Sequence, residues 1–259
     1  MTDICALITN DDGIDSPGLA ALARGAIDGN LEAMIAAPAA ESSGTSAGLT
    51  AAEDHRRIAM ERRELPALTD VPTYAVAAHP GLIAFIAVQG GFGPTPDLLL
   101  SGINRGANIG RVVLHSGTVG AALTAGINGV RAMAVSLDVG LERDIEHHWE
   151  SAAEVARQAM DLLLDLEPGT VLNVNVPNVP QDRLRPLRRA RLARAGSVQS
   201  RVRQLDEGGI EVMTVNTGGD DQQEPGSDVA LLAAGYPTVT PLRAVEEDTG
   251  EVLAALRAS

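Results

Sequence analysis

Short apolar segments alternate with segments of helical periodicity through the first two-thirds of this 259-residue chain. Residues 4–9 form an apolar run that ends in turn residues, and residues 31–37 form a second run that ends at a proline. Between them, the apolar residues from Leu19 to Ile27 fall at helical spacing. Strands that alternate with helices predict an α/β fold built on a doubly wound, mainly parallel sheet.

The same alternation continues along the chain. We expect further strands at residues 73–77, 97–101, 130–137 and 171–176, and helices at residues 80–89, after Thr118 and at 147–166. Residues 39–50 are too rich in Ser and Gly for regular structure, and residues 51–72 predict a small hairpin.

The character of the sequence changes near residue 177. Residues 183–203 contain eight of the 20 arginines, and their alternating pattern predicts strands and hairpins. A helix at 226–234, a strand at 236–242 and a short terminal helix at 250–257 complete the predicted elements. We therefore expect a single domain over residues 1–259, with a sheet core and active site over about 1–177. The remaining residues, about 178–259, are expected to form hairpins and a tail for oligomerisation.

Composition excludes several classes of protein. A net charge of -14 and a pI near 4.7 argue against a partner such as duplex nucleic acid, which requires a basic surface. All 20 basic residues are arginine, which excludes Walker A loops, Schiff bases and other lysine-dependent chemistry. The single Cys5 cannot form an intrachain disulfide. No run approaches the roughly 18 apolar residues of a membrane helix, so we expect a soluble, cytoplasmic protein with no membrane partner.

The first predicted strand ends in two adjacent acidic residues, Asp11 and Asp12. Ligands of open α/β sheets bind at the carboxyl ends of the strands, which is where this pair lies. Neighbouring carboxylates repel each other unless a cation lies between them, and hard divalent cations prefer carboxylate oxygens. Ser43 and Asn104, in loops that follow two other strands, supply neutral oxygens. The set suits Mg²⁺ or Mn²⁺, because it contains neither thiolate nor imidazole.

A second group of small polar residues precedes the helix that begins near residue 118. Helix N-termini with free N–H groups bind phosphate, and glycine allows a ligand to approach the backbone closely. We therefore expect phosphate to be bound by Asn108, Ser116, Gly117 and Thr118. Such a site binds an anion through local amides and a metal ion, even though the chain as a whole is acidic.

Taken together, these segments resemble the SurE (survival protein E) family of metal-dependent nucleotide phosphatases, which have a Rossmann-like sheet. The resemblance spans nearly the whole chain. It is carried by residues 9–14 (TNDDGI), 101–110 (SGINRGANIG) and 116–119 (SGTV), with support from 173–177, 235–236 and 239–242.

The resemblance implies a divalent-metal-dependent 5′-nucleotidase, which hydrolyses nucleoside 5′-monophosphates, and also 3′-monophosphates, to nucleoside and phosphate. It implies one Mg²⁺ or Mn²⁺ ion per subunit and a homodimer or homotetramer. It matches Asp11, Asp12, Ser43 and Asn104 to the metal ligands, and Asn108, Ser116, Gly117 and Thr118 to the phosphate contacts.

The roles of the catalytic groups follow from metal-assisted phosphomonoester hydrolysis. Either Asp11 or Asp12 orients the attacking water or attacks phosphorus itself. His115 lies beside the phosphate-binding residues and is the candidate general acid for the leaving ribose oxygen. The sequence leaves the choice between the two carboxylates open.

Several positions depart from the pattern of the family, including Leu123-Thr124, where a Glu is common. His79 stands where Thr is usual, Leu82 where Asp is usual, and His115 where an aromatic residue commonly precedes Ser-Gly-Thr. These departures leave open an alternative: a catalytically altered SurE-like protein that acts on another phosphomonoester or only binds nucleotide.

Two other hydrolase classes are weaker alternatives. Residues 44–48 match the G-x-S-x-G pattern of serine hydrolases, but that motif requires a strand directly before it and a helix directly after it. A haloacid-dehalogenase-like phosphatase also has Asp at its first strand end. That class has two Asp separated by one residue and a later Lys, whereas this chain has adjacent Asp residues and no Lys.

Overall fold

We describe the protein from a computed structural model, which defines residues 4–42, 44–50, 53–54, 57–66, 68–140, 145–194, 198–204, 210–216, 224–243 and 245–246. The helices are α1 (Pro17–Asp28), α2 (Pro80–Val88), α3 (Gly117–Ile127), α4 (Trp149–Leu164) and α5 (Asp228–Ala233), with 3₁₀ segments at Gly110–His115 and Gln181–Arg183. The strands are β1 (Cys5–Thr9), β2 (Glu32–Pro38), β3 (Glu53–Asp54), β4 (Arg57–Ile58), β5 (Met60–Arg62), β6 (Thr73–Val76), β7 (Leu98–Arg105), β8 (Arg131–Asp138), β9 (Val171–Pro177), β10 (Arg188–Arg189), β11 (Val198–Gln204), β12 (Ile210–Asn216) and β13 (Thr238–Leu242).

Nine strands form one sheet in the order β10-β13-β9-β8-β7-β1-β2-β6-β5. The six strands from β9 to β6 in this order are paired in parallel, whereas β13 and β5 are antiparallel to their neighbours β9 and β6. The chain first proceeds outwards through β2 and β6 and then returns to the other side of β1 through β7. This reversal confirms the doubly wound α/β prediction and places the topological switch point between β1 and β7.

Helices cover both faces of the sheet. The core consists of two hydrophobic clusters. The first contains residues of α1 and α4, and the second contains residues of α2 and α3. The buried residues of both cores are aliphatic except for Met133 and Met160, and the aromatic Tyr74, Phe92 and Trp149 are partly buried against them. Small residues let the helices approach closely: a Cβ on Gly18 of α1 would lie 2.1 Å from Ile103 O of β7.

Most predicted elements are present, with ends shifted by a few residues. The helix expected at 147–166 spans Trp149–Leu164, and the strand expected at 97–101 continues to Arg105. Residues 39–42 and 44–50 contain no helix or strand, as predicted. The terminal helix expected at 250–257 lies outside the described residues.

The small hairpin predicted within 51–72 is present, because β3 and β4 pair in antiparallel. The next strand, Met60–Arg62, pairs with β6 and so forms an edge of the main sheet. In the C-terminal region, β11 and β12 form an antiparallel hairpin, but β13 joins the main sheet beside β9. The C-terminal region therefore contributes to the core sheet as well as to a hairpin.

Among the residues that the structure describes, no helix is long and apolar enough to cross a membrane.

The close packing of α1 on β7 predicts the effect of adding one methyl group. Gly18→Ala should lower the free energy of unfolding by about 1–3 kcal/mol, the usual cost of overpacking, because the new Cβ meets backbone rather than a movable side chain. Gly25→Ala, in the same helix, is the matched control, because its Cβ would lie 3.3 Å from Ala153 O. Urea denaturation followed by circular dichroism measures both; equal stability of the two variants would contradict the prediction.

Candidate active site

The turn after β1 holds the acidic pair at the switch point of the sheet. The Asn10 side chain donates from Nδ2 to Gly13 O at 2.9 Å, and Ile14 N donates to Pro38 O at 2.9 Å. Gly13 has a φ of 96°, a backbone conformation that favours glycine. A Cβ at Gly13 would also lie close to the backbone of residues 40 and 41. Sequence and packing together thus fix the direction in which Asp11 and Asp12 leave the strand.

The N-terminus of α3 packs directly against Asp11. The Thr118 hydroxyl donates to Asp11 Oδ1, and a Cβ on Gly117 would lie 2.9 Å from Asp11 Oδ2. Ser116 is the N-cap of α3, and its Oγ accepts a hydrogen bond from Val119 N at 3.1 Å. Only a residue without a side chain fits between the helix and the carboxylate.

Asp12 and Asn104 are brought together by the end of β7. Asp12 Oδ2 accepts a hydrogen bond from Arg105 N at 3.1 Å. The register of the β7–β8 ladder shifts between Ser101 and Asn104, and such irregularities re-aim side chains near active sites. The Asn104 amide nitrogen donates to Gly106 O at 2.7 Å, which leaves its carbonyl oxygen as the group that can coordinate a cation.

The electrostatics of the pair favour a bound cation. Burial raises the pKa of Asp11 above its ordinary value, against the hydrogen bond from Thr118. Burial, reinforced by the charge of Asp11, raises the pKa of Asp12 to about 6. The negative charge of Glu41 adds to both shifts. A positive charge between the two carboxylates would favour their ionised forms and lower both pKa values.

The donor set fits a hard divalent ion held by two carboxylates and neutral oxygens. Among the described residues, no three His, Cys, Asp or Glu side chains lie close enough together to bind one metal ion. A metal at the acidic pair would therefore also use neutral ligands such as the Asn104 oxygen, which is common for Mg²⁺. Ser43, the remaining predicted ligand, lies outside the described residues.

Asn108 is held by polar side chains of two neighbouring strands. Its backbone N–H donates to Asn175 Oδ1 at 2.8 Å, and its carbonyl accepts from Asn175 Nδ2 at 2.9 Å and Asn173 Nδ2 at 2.8 Å. Its side-chain amide donates to Ser136 Oγ at 2.9 Å. Asn173, Asn175 and Ser136 are fully buried. Buried polar groups on β8 and β9 thus fix the first of the predicted phosphate-binding residues.

A cavity of about 550 Å³ opens at this end of the sheet. Its lining includes six of the predicted site residues, namely Asp11, Asp12, Asn104, Asn108, His115 and Ser116. Gly117 and Thr118 are buried and are in contact with Asp11, behind the cavity wall. Other lining residues, to which the sequence assigned no role, include Pro17, Glu41, Arg105, Val112 and Trp149.

Some residues whose roles were not predicted carried a signal in the sequence. Asn173 and Asn175 interrupt an apolar strand that is buried on both faces, and buried amides require hydrogen-bond partners. Trp149 is the only tryptophan of the chain, although its periodicity indicated only the packed stripe of a helix. Arg105 lies within the conspicuous segment 101–110, at the end of β7, which is longer than predicted.

The departures from the family pattern occupy different places. Among the described residues, His115 lines the cavity of the acidic pair, whereas His79 lines a separate cavity of about 280 Å³. Leu82 packs against the second hydrophobic cluster. Ser46, the residue of the G-x-S-x-G match, lies in an irregular loop rather than between a strand and a helix, and its Oγ donates to Leu114 O at 2.5 Å.

The fold and the cleft define a doubly wound α/β protein in which a carboxylate pair and a helix N-terminus meet at the topological switch point. The family profile described as survival protein SurE matches residues 6–199. The chain belongs to the SurE family.

Individual relatives agree with this assignment. The chain is 38% identical over 240 residues to a 5′-nucleotidase SurE of Stutzerimonas stutzeri (strain A1501), covering 92% of this chain and 91% of that protein. It is 34% identical over 241 residues to a 5′/3′-nucleotidase SurE of Edwardsiella ictaluri (strain 93-146), covering 92% and 89%. The crystal structure of the SurE protein from Aquifex aeolicus superposes with a TM-score of 0.76 at 27% identity, over 97% of this chain and 98% of that one.

Proposed function

We propose that this protein is a divalent-metal-dependent phosphomonoesterase that hydrolyses nucleoside monophosphates at the cleft between β1 and β7. The observation that carries the proposal is the contact between the acidic pair and the N-terminus of α3, where Gly117 leaves no room for a side chain beside Asp11. This contact brings a cation site and an anion site together. The names of the relatives, 5′-nucleotidase and 5′/3′-nucleotidase, support the same reaction.

We assign one Mg²⁺ or Mn²⁺ ion per subunit to Asp11, Asp12 and Asn104, with Ser43 as the further ligand expected from the sequence. When bound, such an ion offsets charge on the phosphoryl oxygens and lowers the pKa of bound water. The raised pKa values of both carboxylates support a cation at this position.

The residues of the chain supply orientation and proton transfer. Ser116 and the first N–H groups of α3 hold the phosphate, and Asn108 lines the same cavity. Asp11 or Asp12 orients the water or attacks phosphorus. His115 is exposed at the cavity beside Ser116 and protonates the leaving ribose oxygen.

Exchange of one carboxylate tests the reaction. Asp12→Asn should reduce phosphate release from AMP or GMP with Mn²⁺ or Mg²⁺ by at least about 100-fold, because the lost charge stabilisation amounts to several kcal/mol. EDTA should abolish the activity of the wild-type protein. Asp15→Asn is the matched control: Asp15 is exposed in the same loop and pairs with Arg63 at 3.3 Å. Full turnover by Asp12→Asn, or no turnover by wild type with any of these substrates, would refute the proposal.

Apolar side chains in the lining of the cavity suit a flat, apolar group. Pro17, Val112 and Trp149 line the cavity together with the acidic pair. Aromatic side chains stack on nucleobases of any identity, so the indole of Trp149 is the residue that we assign to the base. This feature favours nucleotides over phosphomonoesters that lack a planar group.

Substitution of Trp149 separates base recognition from phosphate chemistry. Trp149→Leu should raise the KM for AMP about tenfold, since stacking on a base contributes about 1–3 kcal/mol, and should leave the KM for ribose 5-phosphate unchanged. Trp149→Phe, which keeps an aromatic face, should remain close to wild type with both substrates. Because Trp149 is the only tryptophan, AMP should quench intrinsic fluorescence more than ribose 5-phosphate does. An equal change in both KM values would argue against stacking.

We also propose that the chain forms a homodimer or homotetramer through its C-terminal region. The β11–β12 hairpin is a two-stranded sheet separate from the nine-stranded one, and an isolated two-stranded hairpin is marginally stable in water. Packing against a second subunit would stabilise it. Sedimentation velocity should give the mass of a dimer or tetramer, and a monomer at micromolar concentration would contradict the proposal.

A further inference from the structure

A buried carboxylate outside the cleft connects the phosphate-binding loop to the C-terminal region. Asp228, the first residue of α5, is fully buried. Its Oδ2 accepts a hydrogen bond from Gly110 N at 2.7 Å, and its Oδ1 accepts from Ala193 N and Val229 N, both at 2.9 Å. One side chain therefore joins three segments that are far apart in the sequence.

Apolar contacts reinforce the same junction. Ile109, which is 5% exposed, packs with Ala193, Val229 and Leu232 in a small cluster distinct from the two main cores. The loop that follows Asn108 thus rests on α5 and on the segment before β11, rather than on the central sheet alone.

Helix capping does not account for Asp228. Ser227 is already the N-cap of α5, and its Oγ accepts a hydrogen bond from Ala230 N at 3.1 Å. Burial raises the pKa of Asp228 above its ordinary value, although the three N–H groups oppose this rise. A buried carboxylate is costly unless it is hydrogen-bonded, and the shortest hydrogen bond of Asp228 is the one to Gly110.

Gly110 lies in the loop between two of the predicted phosphate-binding residues. It begins the 3₁₀ segment that leads to Ser116, and it follows Asn108 by two residues. From these contacts we propose that Asp228 is a positioning residue, which holds the loop from Asn108 to Ser116 in the geometry that binds phosphate. This inference rests on the proposed function of the cleft and assigns to the C-terminal region a part in forming the site.

An isosteric substitution tests the connection. In Asp228→Asn, the amide oxygen is expected to take the place of Oδ1, where it meets two N–H donors, so that the NH₂ group faces Gly110 N–H. Two hydrogen-bond donors, the side-chain NH₂ group and Gly110 N–H, then face each other, so the hydrogen bond to the loop is lost. We expect the dissociation constant of inorganic phosphate to rise about tenfold, which is the scale for a hydrogen bond to a charged group. The affinity for Mn²⁺ should stay within about twofold of wild type, because Asp11 and Asp12 are unchanged.

Two companion variants separate positioning from stability. Ser227→Ala weakens the start of the same helix without contacting Gly110, and should leave phosphate affinity unchanged. Ile109→Ala removes the apolar part of the junction and should also weaken phosphate binding. This variant takes the place of Asp228→Asn if Asp228→Asn folds poorly. Calorimetry with the Mg²⁺-loaded protein measures phosphate, and the electron paramagnetic resonance signal of free Mn²⁺ measures the metal.

The outcomes are distinct. Unchanged phosphate affinity in folded Asp228→Asn, or in Ile109→Ala if the first variant is unfolded, overturns the inference. An equal effect of Ser227→Ala, or an equal loss of Mn²⁺ affinity, also overturns it. If wild-type protein binds phosphate but hydrolyses no nucleotide, the proposed function fails, and the binding comparison still decides the role of Asp228.

Discussion

The burial of two adjacent carboxylates is the constraint around which the rest of the site is arranged. Burial makes ionisation costly and raises the pKa of both Asp11 and Asp12, and the charge of Asp11 adds to the rise at Asp12. The Thr118 hydroxyl and the Arg105 N–H each offset part of this cost from one side, and a cation would offset the remainder. Such a pair persists only where the surrounding backbone is fixed, which is why a glycine-lined turn and the N-terminus of α3 enclose it.

The topology supplies the other half of the site. Because the chain reverses between β1 and β7, the ends of these strands lie side by side, and Asn104 comes next to Asp12 although 92 positions separate them in the sequence. The parallel register continues into β8 and β9, whose buried Ser136 and Asn175 hold Asn108. The cleft is thus a property of four adjacent strand ends, and no single loop contains it.

The sequence predicted the fold class and the acidic pair because both depend on local patterns: strand periodicity, turn residues and charge at a strand end. It did not predict the partners. Thr118, expected at the phosphate, donates to Asp11, since the approach of α3 to β1 depends on how Gly117 packs. The bond between Asn108 and Asn175 spans 67 positions, and Asp228 meets Gly110 across 118 positions. Contacts of this range follow from the assembled sheet and leave no periodicity in the sequence.

The departures at His79, Leu82 and His115 differ in their relation to the cleft. Leu82 lies in α2 and packs against the second hydrophobic cluster, and His79 precedes that helix at a separate cavity, so both act on the packing of α2 against the sheet. His115 is different, because it lies in the cavity wall with Asp11, Asp12 and Glu41. Among the described residues of that wall, only Arg105 and His115 carry basic side chains. The His115 imidazole can transfer a proton to or from a bound ligand, whereas a Phe or Trp ring at the same position could not. Among these departures, His115 is therefore the one placed to affect the chemistry of a bound substrate.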